Sequence, residues 1–235
     1  MAFLQDSRPP GQPLLNAPAS VLWLIGALLL AHAVRVLLPG DWPDIILTDY
    51  AFIPGRYAEI REFADDSFLQ RAVPFVSHMF LHANLGHVAI NSLWLLAFGP
   101  VVARRLGTLK FLLFFLFCGV AGAAVHLAVY WGSLGAVVGA SGAVAGLMGA
   151  GIRMVYGGFY GLPLAPILSK RIVAFSLVWT AVNVVSGIVG FGAGEEVMLV
   201  AWVVHLGGYF AGLLAIALFD RPVRQRVSRG VNRIS

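Results

Sequence analysis

Three short stretches carry side chains able to do chemistry in surroundings otherwise almost bare of them. "AVVGASGAVAGLMGAG", residues 136–151, has no charge, five glycines and one hydroxyl, Ser141. "HANLGHVAIN" runs from His82 through His87 to Asn91, and "HLGGYFAG" begins at His205. A serine hydroxyl is a poor nucleophile until a neighbouring imidazole accepts its proton, so Ser141 with His205 points to acyl transfer. The oxyanion formed on attack needs donors aimed at it. The Asn91 amide, the His87 imidazole and the Ser141 backbone amide can supply them, and Gly139 and Ala140 before the serine leave room for a substrate backbone.

What is missing narrows the chemistry further. Between Asp66 and Asp220 the only acids are Glu195 and Glu196. A proteolytic site built on two carboxylates sharing a proton has no candidates in the apolar runs. The H-E-x-x-H string of zinc proteases does not occur, and proton-coupled transport ordinarily relies on intramembrane carboxylates. Glu195 and Glu196 precede His205 by ten and nine residues, roughly 14 Å along a helix, so a Ser-His dyad is expected instead of a triad. The chemistry calls for no metal and no organic cofactor.

These groups must be positioned by elements suited to lipid. With 59% hydrophobic and 11% charged residues and a mean hydropathy of +0.84, the 235-residue chain reads as a polytopic membrane protein. Six apolar runs approach the roughly 20 residues a spanning helix needs: 21–38, 88–103, 111–131, 134–151, 172–190 and 197–219. They are continuously apolar and do not alternate, which predicts helices, not a barrel. Counting from the inner end of each run, Asn91 lies thirteen residues from Arg104, Ser141 twelve from Arg153 and His205 fourteen from Phe219. At about 1.5 Å per residue all three lie roughly 18–21 Å above the inner boundary. Independent packing residues have little reason to share one level.

The basic residues set the orientation, because Lys and Arg collect in cytoplasmic loops. Six spans place twelve of them on one side, including Arg104, Arg105, Lys110, Arg153, Lys170, Arg171 and five arginines after Phe219. Arg35, Arg56, Arg61 and Arg71 fall on the other, with seven acids between Asp41 and Asp66. Both termini are expected to be cytoplasmic: a segment 1–20, a six-helix unit 21–219 with an outward loop 39–82, and a basic tail 220–235. That tail is explained by orientation and anionic-lipid attraction, so no nucleic-acid partner is expected. "AHA" at residues 31–33 imitates a cleavage site, but the proline-rich flank before it does not fit a signal sequence. Arg35, near the outer end of its run, is expected to snorkel to the interface. In the outward loop, "YAEIREFADDSFLQRAV" is expected to form a short amphipathic interfacial helix. "YGGFYGLPLAP", residues 156–166, reads as a linker.

Taken together, "FVSHMFLHANLGHVAIN", the Gly139-Ala140-Ser141-Gly142 segment and "HLGGYFAG", in this order within six spans, resemble the rhomboid intramembrane serine proteases. Each string alone is weak; the ordered set is specific. The resemblance implies an all-α, six-transmembrane-helix bundle that cleaves transmembrane or membrane-adjacent segments of other proteins. It implies Ser141 as nucleophile, His205 as general base, and His87 with Asn91 as oxyanion donors. His82 takes a structural place, and Gly208 and Gly212 pack the sixth helix on the fourth. A multi-pass protein of a bacterial inner membrane is expected, with the lipid bilayer and a transmembrane protein substrate as its partners.

Where many relatives carry an aromatic residue one turn after the serine, this chain has Ala145. Orientation of His205 is therefore left to another side chain, with Tyr209 and Trp202 as candidates. His32, His126, Asn183 and Cys118 are read as packing residues. The alternative is a catalytically silent rhomboid-like protein that binds membrane clients, marked by loss of the serine or histidine; both are present. A small-solute transporter is disfavoured by a site near one surface instead of the midplane.

Overall fold

The computed structural model describes residues 17–58, 60–158, 162–189 and 195–220. The segment before Ala17 and the basic tail after Asp220 lie outside the described residues. Six long helices dominate: α1 (Ala19–Leu37), α5 (Leu85–Leu106), α6 (Thr108–Val129), α7 (Ser141–Gly157), α8 (Lys170–Val189) and α9 (Glu195–Phe219). Between α1 and α5 lie the short helices α2 (Trp42–Tyr50), α3 (Phe68–Ala72) and α4 (Pro74–Ser77). In hydrocarbon each backbone polar group must be satisfied internally, which a helix does within one segment. Five of the long helices are long and apolar enough to cross a membrane. The described residues contain no strand, only one isolated antiparallel bridge between Phe52 and Val137.

The exception among the long helices is α7, which matters most for the site. Hydropathy predicts a run from Leu134, but the helix begins at Ser141 and has 17 residues. The preceding residues are extended and pair with the outward loop: Phe52 N–H donates to Val137 O at 3.0 Å and Val137 N–H to Phe52 O at 2.8 Å. The shortened helix sits inside the bundle, with every residue from Gly142 to Met154 buried.

Its contact with α9 rests on glycines. A methyl group at Gly208 would run into the carbonyl oxygen of Gly142, and one at Gly212 into that of Gly146. Small residues allow this backbone approach, and van der Waals packing then holds the helices where water supplies no driving force. Cys118 of α6 lies against Gly146 on the other side, in a core with Phe111, Phe114, Phe115 and Leu147. The α5 and α6 helices are joined by Gly107 alone, whose φ of 78° makes the tight reversal. The span of α8 is the least buried of the five candidate spans.

Three expectations are corrected. Arg35 does not snorkel: it is 6% exposed and donates to His82 O at 2.8 Å, tying α1 to the segment before α5. Arg153, used to mark the inner boundary, is buried as well and donates to Ala165 O at 3.0 Å and Leu213 O at 2.8 Å. Backbone carbonyls, in loops beside α5 and α7 and within α9, thus solvate both charges.

The expected single helix over 57–73 is broken into 3-10 turns at Pro54–Tyr57 and Arg61–Phe63, followed by α3. Ser67 starts α3 afresh with a capping box: Gln70 N–H donates to Ser67 Oγ at 3.4 Å, and Ser67 N–H donates to Gln70 Oε1 at 2.9 Å. The loop is pinned by the Arg56–Asp66 ion pair at 2.8 Å and by the Tyr57 hydroxyl donating to Arg71 O at 2.6 Å. Burial pushes the Tyr57 phenol up to about 12, so it remains a neutral donor.

Candidate active site

Ser141 is the first residue of α7, and the helix starts there because the chain before it is held from three directions. Besides the Val137–Phe52 bridge, Gly139 N–H donates to His78 O at 2.8 Å. Ala140 N–H donates to His82 Nε2 at 3.4 Å. Gly139 has φ 112°, a conformation that disfavours any residue with a Cβ. Ser141 consequently sits where the first-turn N–H groups have no intrahelical partner and the positive end of the helix dipole is felt.

The glycine seam brings His205 to this point. His205 lies three residues before Gly208, and Ser141 immediately precedes Gly142, so the Gly142–Gly208 contact sets the two side chains face to face. Ser141 Oγ and His205 Nε2 are 2.8 Å apart. The other ring nitrogen, Nδ1, is 3.0 Å from Asn183 Oδ1 on α8, and Asn183 Nδ2 donates to Trp179 O at 2.9 Å.

Asn183, expected from sequence to be a packing residue, is instead the partner of the catalytic imidazole candidate. A signal existed: Asn183 lies twelve residues after Arg171, the same depth of roughly 18 Å that groups Asn91, Ser141 and His205. Neither of the two expected aromatic residues takes this place. Tyr209 shares a 2.8 Å hydrogen bond with Ser176 and packs on Trp179, and Trp202 lies over Gly187.

Asn84 caps α5, its Oδ1 accepting from His87 N–H at 2.9 Å, which orients the first turn. One turn on, Asn91 Nδ2 donates to His87 O at 3.0 Å and keeps another N–H to offer. Both side chains reach the strap beside the serine. A Cβ built on Gly139 would lie 2.7 Å from His87 Nε2 and 3.6 Å from Asn91 Nδ2.

His82 lies behind them, its ring 5.1 Å from that of His87 in an edge contact, with Nε2 holding Ala140 N–H. His78 contributes its carbonyl to Gly139 and donates through Nδ1 to Pro74 O at 2.7 Å; since a carbonyl only accepts, Nδ1 carries the hydrogen. His126 is fully buried against Phe52 and Tyr130.

Ser141 and His205 open onto a cavity of about 360 Å³. Apart from His87, Asn91 and the serine–histidine pair, its walls are mostly apolar: Trp94 from α5, Ala145 and Met148 from α7, and Trp179 from α8. Ala145, small where an aromatic ring could stand, contributes to this space. The site thus has a hydroxyl paired with an imidazole, donors converging near a helix N-terminus, and an apolar chamber beside them, the combination expected for acyl transfer to a peptide carbonyl.

The sequence matches the Rhomboid domain over residues 69–222. A curated relative, Rhomboid protease GluP of Bacillus subtilis (strain 168), is 30% identical over 142 residues, which covers 60% of this chain and 25% of the relative. The chain therefore spans about a quarter of the length of the curated relative it matches. The domain match takes in α5 to α9, and with them every element that contributes a side chain to the chamber beside Ser141. This chain is a multi-pass membrane protein of the rhomboid family.

Proposed function

We propose that the protein is an intramembrane serine endopeptidase that cleaves transmembrane or membrane-adjacent segments of other membrane proteins. The observation that carries this reading is the 2.8 Å approach of Ser141 Oγ to His205 Nε2 at the wall of an apolar chamber.

In this reading His205 Nε2 takes the hydroxyl proton as Ser141 Oγ attacks the scissile carbonyl. The oxyanion forms near Gly139 and accepts from the second Asn91 Nδ2 hydrogen, from His87 and from the Ser141 backbone N–H, aided by the α7 dipole. Collapse of the tetrahedral species passes the proton from His205 to the departing amine. Water, deprotonated by the same imidazole, then releases the acyl group and restores Ser141.

A helical substrate protects its peptide bonds, so the segment must unwind to lie along the strap at residues 136–140. Small or helix-breaking residues at the cleavage site follow from this, and an apolar side chain suits the chamber between Trp94, Met148 and Trp179. The distribution of Lys and Arg supports cytoplasmic termini, with the chamber toward the outward side of a bacterial inner membrane.

The test is cleavage of a reporter transmembrane substrate in liposomes. Ser141→Ala and His205→Ala should each abolish it, a loss of at least about 10³-fold, while circular dichroism and thermal unfolding stay near those of the unaltered protein. Retained cleavage in either variant rules the mechanism out.

A further inference from the structure

We propose that Asn183 is a positioning residue for the general base, selecting the tautomer of His205 that can accept a proton from Ser141; this rests on the protease reading above. Asn183 is 6% exposed and comes from α8, the helix whose Trp179 lines the cavity.

Donor and acceptor chemistry fixes the orientation of each group. Trp179 O, 2.9 Å from the amide of Asn183, can only accept, so the NH2 group faces it. That leaves Oδ1 facing the ring at 3.0 Å from His205 Nδ1. An amide oxygen can only accept, so Nδ1 must carry the hydrogen. A neutral imidazole with hydrogen on Nδ1 has a lone pair on Nε2, and that nitrogen is 2.8 Å from Ser141 Oγ. The opposite tautomer would set two lone pairs against each other at Nδ1 and give the serine a donor it cannot use as a base.

Each link is a single hydrogen bond, and together they transmit the polarity of one helical carbonyl in α8 to the reactive nitrogen in α9. A carboxylate in this place would hold the same tautomer and also stabilise the imidazolium. Beside lipid, a charge costs far more to bury than a neutral amide does, which accounts for the amide here.

Asparagine in membrane helices also serves as plain interhelical glue, and the two roles predict different things. A second polar contact between the same two helices, Ser176 Oγ with Tyr209 OH at 2.8 Å, provides the control. The measurements are kcat and KM on a reporter substrate, the rate of Ser141 modification by a fluorophosphonate, and thermal unfolding, all on the full chain in the same liposomes or detergent.

Asn183→Leu keeps the branching at Cγ with a larger volume and loses both hydrogen bonds. It should lower kcat and the modification rate by about 10- to 100-fold, less than the roughly 10²–10⁴ a whole general base contributes, with KM little changed. Asn183→Asp keeps an acceptor for Nδ1–H and should recover at least about tenfold of that loss, within the range general-base positioning can supply. Ser176→Ala should leave kcat unchanged although it too removes an α8–α9 bond. Asn183→Ala carries the same expectation as Asn183→Leu should the latter not fold.

An Asn183→Leu or Asn183→Ala protein that turns over like the unaltered one overturns the inference. So does an aspartate variant that recovers nothing, or an equal loss of kcat in Ser176→Ala. If the unaltered protein is neither modified at Ser141 nor active, the protease reading fails and takes this inference with it; the other outcomes sink the inference alone.

Discussion

At the scale of single residues, Gly139 shows how closely the site depends on backbone conformation. Its φ of 112° and the 2.7 Å that would separate a Cβ from His87 Nε2 leave no place for a side chain. Gly139→Ala should therefore cost about 1–3 kcal/mol of stability and displace the His87 ring. The expected outcome is a loss of kcat of at least about tenfold, read from reporter cleavage together with thermal unfolding; full activity would mean the strap is free to rearrange. Ser141, His205, His87 and Asn91 were legible from the sequence because polar groups are costly in lipid and stand out against apolar runs. Asn183 was equally deep and equally polar, but an isolated amide with no motif around it reads as helix glue. Arg35 and Arg153 were misread for a related reason: hydropathy counts a charge without seeing the carbonyls that solvate it, and both lie against several.

At the scale of elements, the decisive feature is that α7 begins inside the bundle at Ser141, next to His205 of α9. That start is not legible from hydropathy, since the apolar run extends from Leu134 and hydropathy carries no information on backbone conformation. What stops the helix is long-range: residues 136–140 are claimed by Phe52, His78 and His82, 58 to 85 positions upstream. The glycine seam was more legible, because residues at four-residue spacing on two helices announce close packing. It also makes a sharp prediction. Gly212→Ala places a methyl group against Gly146 O, where backbone cannot yield as a flexible side chain would. The helices must separate, which should cost about 2 kcal/mol or more by overpacking, and His205 should retreat from Ser141. Thermal unfolding in detergent should fall by several degrees and reporter cleavage should drop with it. An unchanged melting temperature would contradict a seam this tight.

At the scale of the whole molecule, the two ends of the bundle are fixed differently. On the side bearing Arg105, that residue donates to both carboxylate oxygens of Asp220, at 3.0 and 2.7 Å, to Gly158 O at 2.7 Å and to Leu162 O at 2.7 Å. Lys110 donates to Phe219 O at 2.9 Å. These contacts clamp the C-terminal end of α9 to the end of α5 and the start of α6, and through Arg105 to the residue after α7. Because the Arg105 and Asp220 side chains are only 6% and 10% exposed, Arg105→Ala should destabilise by about 3 kcal/mol, leaving a buried carboxylate unpaired. Asp220→Asn added to it should return part of that loss in thermal unfolding, and no recovery would deny the pair its role. The opposite end has the loop between α1 and α5, cut into short helices and turns, and a chamber bordered by α8, the least buried candidate span. A clamped base under an open chamber suits the proposed protease, whose transmembrane substrate would have to reach Ser141. The proposed activity depends on Ser141 acting as a nucleophile activated by His205. The most direct measurement is intact-protein and peptide mass spectrometry after exposure to an isocoumarin inhibitor in liposomes. One covalent adduct is expected, on Ser141, and it should be lost in His205→Ala; an intact, folded protein that acquires no adduct, or one whose labelling survives removal of His205, would refute the assignment.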